Sequence, residues 1–325
     1  MSVWRRSIKK LRSVFLRKLM FQIHLWTGLA VGLYILVIFL SGSVLVYRNE
    51  LYRTFDPQPV LVSSVGAALS DEALSDAARR SNPGYSVGNL RRGRAGNEAV
   101  QITLQRGGDA ISRLFDPITG QNLGDAVPAG YRFTSWLLDF HDNLLGGEAG
   151  RRVNGIGAVL VIVLCVTGAV IWWPGQRHWR RSLTVDMRRG AKRITWRLHG
   201  ALGFWFFGFI LLWGITGAYL AFPNSFAAFF DTIQPYDEAN PDERTVDRIQ
   251  YWLAYLHFGR LGGRGISWCG RGLCDSITKA TWATAGLVAP VMFVTGALMW
   301  WNRVLRPARR RFDRPDTSFL PNDAR

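Results

Sequence analysis

Four stretches of this chain, roughly residues 21–47, 153–176, 198–222 and 280–302, contain no Asp, Glu, Lys or Arg. Each is long enough to cross the hydrocarbon core of a bilayer, which takes about 20 apolar residues in a helix. Buried helices of soluble proteins use shorter apolar runs, so four of this length predict four transmembrane helices. The charges agree. Residues 1–23, 177–197 and 303–325 hold 7, 8 and 7 Lys or Arg against 4 acidic residues, and the remaining segments hold 18 basic and 19 acidic residues. Three basic segments alternating with two balanced ones satisfy the positive-inside rule for an even number of spans and put both termini in the cytoplasm. The net charge of +17 is therefore a topology signal, and no nucleic-acid partner is expected, because the basic residues gather only where topology needs them.

The start, "MSVWRRSIKKLRSVFLRK", has the basic character of a signal peptide. The apolar run after it is too long for a signal core, and no small-residue cleavage site follows, so it reads as an anchor. The chain then divides into 1–47 (cytoplasmic N-terminus and first span), 48–150 (an outer domain with a His-bearing helix), and 151–222 (second span, basic loop, third span). Residues 223–279 make a second outer segment, and 280–325 the fourth span with a basic tail. In 48–150, "LSDEALSDAARRSNPG" has a serine cap, helical apolar spacing and an Asn-Pro-Gly stop. "NEAVQITLQRGGDAISRLFDP" alternates around a Gly-Gly-Asp turn as a hairpin does, and "FDPITGQNLGD" adds a further turn. This is a small α+β domain whose basic "LRRGRAG" turn reads as a solvated face. In 223–279, "NPDERTVDRIQYWLAYLHFG" reads as an amphipathic helix. Cys269 and Cys274 in "WCGRGLCDS" suit a local disulfide in an oxidising compartment, with metal binding or redox work as the other use of such a pair. Cys165, inside the second span, reads as packing.

The two halves of the chain repeat each other. Placing His24 on His199 aligns Gly28 with Gly203 and Ser41-Gly42 with Thr216-Gly217. Placing His141 on His257 aligns "WLLDFHDNLLGG" with "WLAYLHFGRLGG", and "VTGAVIWWP" matches "VTGALMWWN" further on. About twelve extra residues in the second copy include the cysteine loop. Each half is span, outer segment, His-bearing helix, span, so the copies run parallel about an axis along the membrane normal.

Four of the five histidines fall at equivalent places in this repeat. A lone histidine near a helix end is ordinarily a satisfied polar residue or an interfacial anchor. Four at symmetric positions beside membrane segments, where ionisable groups are costly, mark function instead. A pseudo-two-fold axis sets His24 opposite His199 at the cytoplasmic face and His141 opposite His257 at the outer face. His178, in "PGQRHWRR", has no counterpart and reads as solvated. Gly28 and Gly203 follow their histidines at i+4 on the same face. Gly42 and Gly217 return to that face about 27 Å further along, which leaves the outer end open for a flat macrocycle. Gly168 and Gly296 would do the same for the inner site. Small-residue helix packing accounts for such glycines equally well when they are not phased to histidine. Two histidines alone make a poor zinc site, whereas haem brings four nitrogens of its own.

"HLWTGL…SG", "LFDPITGQNLGD", "WLLDFHDNLLGG", "WWPGQRHWRR", "RLHGALG" and "WLAYLHFGRLGG" together resemble the PepSY-associated transmembrane family, also called iron-regulated membrane proteins. The resemblance covers nearly the whole chain. It implies a bacterial inner-membrane protein that holds two b-type haems through His24, His141, His199 and His257. It also implies reduction of a ferric siderophore or other ferric chelate in the periplasm, with release of Fe(II). The CxxxxC insert at 269–274 departs from the family's pattern, close to the expected outer site. Gly-rich "RLGGRGISWCGRG" lacks the strand-then-helix context of a nucleotide loop.

The expected fold is thus an all-α membrane protein, four helices in two tandem duplicated halves, with a small α+β PepSY-like periplasmic domain between the first and second. The expected function is a di-haem wire from an unidentified cytoplasmic electron donor to a periplasmic ferric chelate. Trp136, Trp252 and Tyr255 would line a docking surface or serve as interfacial belt residues. Two rivals are a non-catalytic membrane-anchored binding protein and a transporter of the iron complex. A transporter predicts interrupted spans with polar residues at mid-depth, and the only proline inside these runs away from their ends is Pro290.

Overall fold

The computed structural model describes residues 2–173, 183–188, 190–236, 244–262 and 266–306; His178 and most of the "WWPGQRHWRR" segment lie outside them. The chain is mostly helical with one small sheet, and it separates into two compact units, Tyr47–Leu138 and Met1–Val46 with Asp139–Arg325. The boundary differs from the expected one at residue 150. It falls inside a single helix, Ala129–Asn143, so His141 groups with the apolar unit and not with the outer domain.

The larger unit contains α1 (Ser2–Ala30), α2 (Gly32–Leu45), α6 (Gly147–Trp172), α7 (Ala191–Trp205) and α8 (Phe207–Ala221). It continues through α9 (Pro223–Ile233), α10 (Thr245–His257), α11 (Gly272–Gly286) and α12 (Val288–Trp300), which ends in a π turn, Trp301–Leu305. Two helical segments, Gly147–Trp172 and Gly272–Leu305, are long and apolar enough to cross a membrane. The pairs Phe15–Ala30 with Gly32–Leu45 and Ala191–Trp205 with Phe207–Ala221 also qualify if each counts as one span.

Those two pairs correct the expectation of uninterrupted spans. They bend by 62° and 63°, at Val31 (φ −102°, ψ 7°) and Phe206 (φ −106°, ψ 6°). The alignment that sets His24 on His199 also sets Val31 on Phe206. No proline marks either place, so the breaks were invisible to a search for one. At the first, Gly32 leaves room for the ring of Phe293 from α12, which lies where a β-carbon would stand. The bends redistribute the contacts. α1 packs on α6 and α7 on α12, whereas beyond the bends α2 packs on α11 and α12, and α8 on α6 and α10. The centre is apolar: Phe39, Val161, Cys165, Ile210 and Ala289 are buried, with Phe206, Phe207, Trp213 and Met292 packed on them.

Outside the spans, Arg244 ties α9 to α10 through Asp231 (2.7 Å) and Asp247 (2.8 Å). Cys269 and Cys274 are joined as a disulfide with Cα atoms 5.0 Å apart, a five-residue separation that ties the turn Ser267–Gly270 to the first turn of α11. The loop-entropy relation gives a bridge of that span about 2 kcal/mol. Serine at both positions is therefore expected to lower the thermal midpoint of the detergent-solubilised chain, and an unchanged midpoint would count against a structural role.

The smaller unit holds α3 (Arg48–Thr54), α4 (Asp71–Ser81), the first turns of α5 (Ala129–Asn143), and strands β1 (Ser86–Arg91), β2 (Val100–Arg106), β3 (Asp109–Phe115) and β4 (Asn122–Asp125). The sheet is an antiparallel meander in the order β1-β2-β3-β4. Ser70 caps α4 by accepting from the Ala73 amide at 3.3 Å. Arg106 pairs with Asp109 across Gly107 and Gly108, both at positive φ (57° and 95°), a conformation glycine adopts without strain. Leu74 and Ala78 of α4 close the core with Val100, Ile102, Leu104 and Phe115.

The "DPITG" turn is built on Asp116, 3% exposed. Its carboxylate accepts from Ser64 Oγ and from the amides of Ile118 (2.7 Å) and Thr119 (3.1 Å). Burial works against its ionisation, but those hydrogen bonds outweigh it and hold the carboxyl below its ordinary range. A depressed folded pKa stabilises the fold above the unfolded value, and that contribution disappears as pH falls below about 4. Acidification through that window is expected to loosen this unit, and Asp116→Asn to make it less acid-sensitive, which circular dichroism against pH would show.

Candidate functional site

The four repeat-related histidines meet in the two pairs expected of them. His24 of α1 faces His199 of α7 with ring centroids 6.3 Å apart, and His141 of α5 faces His257 of α10 at the same 6.3 Å. A metal midway between two imidazole nitrogens, about 2 Å from each, sets the ring centres about 6 Å apart.

The tautomers follow from what each Nδ1 touches. His24 Nδ1 lies 3.0 Å from Thr167 Oγ1 and 3.1 Å from the Leu164 carbonyl. His199 Nδ1 lies 3.0 Å from both Thr295 Oγ1 and the Met292 carbonyl. At the outer pair, His141 Nδ1 meets Ser41 Oγ (3.0 Å) and the Ile38 carbonyl (3.1 Å), and His257 Nδ1 meets Thr216 Oγ1 (2.8 Å). A carbonyl can only accept. Each hydroxyl already donates its single proton to a backbone carbonyl: Ser41 to Ile38 (2.9 Å), Thr167 to Val163 (2.7 Å), Thr216 to Leu212 (2.7 Å), Thr295 to Val291 (2.9 Å). All four Nδ1 atoms therefore carry the proton, which leaves Nε2 unprotonated in each ring. Metal-ligating histidines are prepared in this way, since the bond at one nitrogen fixes the tautomer at the other.

Every hydroxyl is followed by a glycine, and each glycine takes the edge of the same ring. A β-carbon on Gly42 would stand 2.8 Å from Cε1 of His141, on Gly168 3.1 Å from Cε1 of His24, on Gly296 3.5 Å from that of His199, and on Gly217 3.8 Å from that of His257. Gly42, Gly217, Gly168 and Gly296 thus seat imidazoles, a contact that their expected place beside a macrocycle did not include. Gly28 and Gly203 lie against Leu164 (3.6 Å) and Met292 (3.2 Å), the residues whose carbonyls hold His24 and His199. The Ser/Thr hydroxyls were missed as a functional layer, although a (Ser/Thr)-Gly dipeptide in every span was there to be read.

The His-bearing helices are pinned at their ends. Asn154 Nδ2 donates to the carbonyls of His141 (2.7 Å) and Asp142 (2.9 Å), and Tyr34 Oη donates to the Asn154 carbonyl (2.9 Å). Those bonds brace a turn in which Leu144 and Leu145 both take positive φ (52° and 60°). On α10, Trp213 Nε1 donates to the His257 carbonyl (3.3 Å) and Trp282 Nε1 to that of Leu256 (2.8 Å). Trp252 and Tyr255 are on α10 as expected, with Tyr255 stacked on Tyr251 at 4.1 Å. Trp136 stacks on Phe133 in the smaller unit.

Among the described residues no three His, Cys, Asp or Glu gather as a metal site. Two neutral imidazoles per site, each unprotonated at Nε2, suit a metal whose remaining ligands arrive with it, and haem is such a group. The residues fit it.

A stretch of 85 residues is 34% identical to an uncharacterized protein of Pseudomonas aeruginosa; it covers 25% of this chain and 20% of that protein. Residues 21–246 and 233–303 match the PepSY-associated TM region family. With the match running across both bent helix pairs and all four site histidines, the chain belongs to the PepSY-associated TM region family.

Proposed function

We propose that this chain is a di-haem b-type reductase of the bacterial inner membrane, carrying electrons from an unidentified cytoplasmic donor to a ferric siderophore or similar chelate in the periplasm. In this reading each bent pair is one span. Four spans form two duplicated halves, and the termini are cytoplasmic. The observation that supports it is the two facing histidine pairs at 6.3 Å, one per end of the spans, with every Nδ1 held by a hydrogen bond that leaves Nε2 unprotonated. Haem, when bound, supplies a one-electron couple tuned by its ligands, burial and hydrogen bonds. The protein's part is to orient the rings through Ser41, Thr167, Thr216 and Thr295, to seat their edges on the following glycines, and to keep water from the centre with the apolar cluster around Phe39 and Ile210.

The bends at Val31 and Phe206 favour the transporter reading at first sight. Discontinuous helices in transporters present half-helix ends to a polar or ionic substrate at mid-depth. Here the region of the bends is filled by Phe206, Phe207, Met292 and Trp213, which would give such a substrate no partner. An anchor with a binding domain would leave the histidine pairs without a purpose.

The test is the visible spectrum of the full-length chain in detergent, with haem quantified per chain before and after dithionite. Two low-spin b-type haems are the expected result. A chain that stays colourless when expressed with ample haem would sink the reading.

A further inference from the structure

Trp172 closes α6 one turn beyond the inner pair. Gly168 and Trp172, four residues apart, share a face of that helix, and on that face the backbone at Gly168 meets the His24 ring. From the other side the indole lies against Gly200, the residue after His199: a β-carbon there would stand 3.4 Å from Cδ1 and 3.7 Å from Nε1. Phe204 stacks on the indole at 4.8 Å and 25°. Trp172 thus touches the surroundings of both inner ligands and has little freedom to turn away.

Its Nε1 is buried and, among the described residues, has no hydrogen-bond partner. Trp213 and Trp282, by contrast, each donate to a backbone carbonyl. Leaving a buried donor unmade is costly, and native structures hold few such groups without a reason such as a bound molecule. The local charge favours an anionic acceptor. A helix C-terminus alone repels anions, but Arg17 Nη2 donates to the carbonyls of Ile171 (3.3 Å) and Trp173 (2.6 Å) and so sets a guanidinium on this one.

We propose that Trp172 Nε1 donates a hydrogen bond to a carboxylate of the tetrapyrrole held by His24 and His199. The inference rests on the two-haem reading. Losing the donor makes that carboxylate more basic and leaves more negative charge near the metal, which favours the ferric form. Trp172 is a binding and potential-setting residue of the inner site alone.

Trp172→Phe keeps an aromatic ring against Phe204 and removes the N–H. Redox titrations of the full-length protein in detergent would follow both haems, the inner signal being the one that His24→Ala abolishes. The inner midpoint is expected to fall, its pH dependence to move to higher pH, and the outer midpoint to stay. With the dimethyl ester of haem b in place of the free acid, the difference between wild type and variant is expected to vanish. An unchanged inner midpoint overturns the proposal, and so does a difference that survives esterification, which would point to a lipid headgroup or water as acceptor. Should the variant not accumulate, the wild type loaded with acid or ester decides the matter. A larger shift at the inner site supports the proposal, and equal shifts at both sites overturn it. A chain that takes up no haem in any form overturns the two-haem reading, and absorbance reveals that before any titration begins.

Discussion

On the two-haem reading, alanine at Gly42 is expected to strip the His141–His257 pair of its cofactor, while alanine at Gly217 leaves it loaded. The two positions are equivalent in the repeat, and the substitution is the smallest there is. The new methyl at Gly42 would stand 2.8 Å from Cε1 of His141, closer than carbon atoms approach, whereas at Gly217 the distance to His257 is an ordinary 3.8 Å. The His141 ring cannot slide away without giving up Ser41 Oγ and the Ile38 carbonyl, the bonds that keep its Nε2 unprotonated. The helix itself would gain from either change, since alanine is favoured over glycine by about 1 kcal/mol in a helix interior. A loss of haem is therefore not a loss of helix. At the inner pair the same logic ranks Gly168→Ala (3.1 Å) as the more harmful and Gly296→Ala (3.5 Å) as the milder. Haem per chain in the four variants checks the order. Equal loss at Gly42 and Gly217 would refute it.

His199→Ala is expected to keep one low-spin haem and lose the other, and His257→Ala to do the converse. On the two-haem reading each site would have two protein ligands, so removing one leaves no bis-histidine centre. The survivors can be told apart because the pairs differ in ring-plane angle, 87° at the inner and 50° at the outer. Crossed imidazole planes leave the two iron d orbitals that overlap them nearly equal in energy. The ferric inner site should thus give the more anisotropic electron paramagnetic resonance signal, and that signal should be the one missing from His199→Ala. If either substitution removed both signals, the sites would not be independent, and the pairing would have to be reconsidered.

How much of this was legible depended on whether the residue type itself carried the information. Charge-free runs show as hydrophobic length, and a histidine stands out by scarcity, so the helices and the ligand candidates were visible. The pairing became visible through the repeat, because a two-fold relation makes equivalent residues face each other. The bends were not, for Val31 and Phe206 are ordinary helix residues and the cause is tertiary: at Val31, a phenylalanine wedged at Gly32 from another helix. The glycines were read as room for a macrocycle because i+18 spacing gives the face but not the neighbour. Only packing shows that an imidazole from another segment lies against each of them. In the smaller unit, local signals sufficed for Ser70, Gly107 and Gly108, whose roles are set within a few residues. The place of the unit boundary was not local. Helix α5 continues through it, and nothing in its sequence announces that His141 leaves one unit for the other.

The crossed packing of the bent spans also dictates a timetable. Each pair takes one ring from before residue 150 and one from after residue 190. A nascent chain that has threaded its first two spans into the bilayer carries two single imidazoles, already tautomerically set, and no complete site. Domains generally fold in the order they are synthesised, but here the first centre cannot close until His199 has emerged, nor the second until His257 has. On the two-haem reading cofactor capture is therefore a late and ordered event, His24–His199 before His141–His257, and the captured group would clasp two halves that were made apart. A cell short of haem would, on that reading, meet such a protein first as an assembly defect and only afterwards as a missing activity.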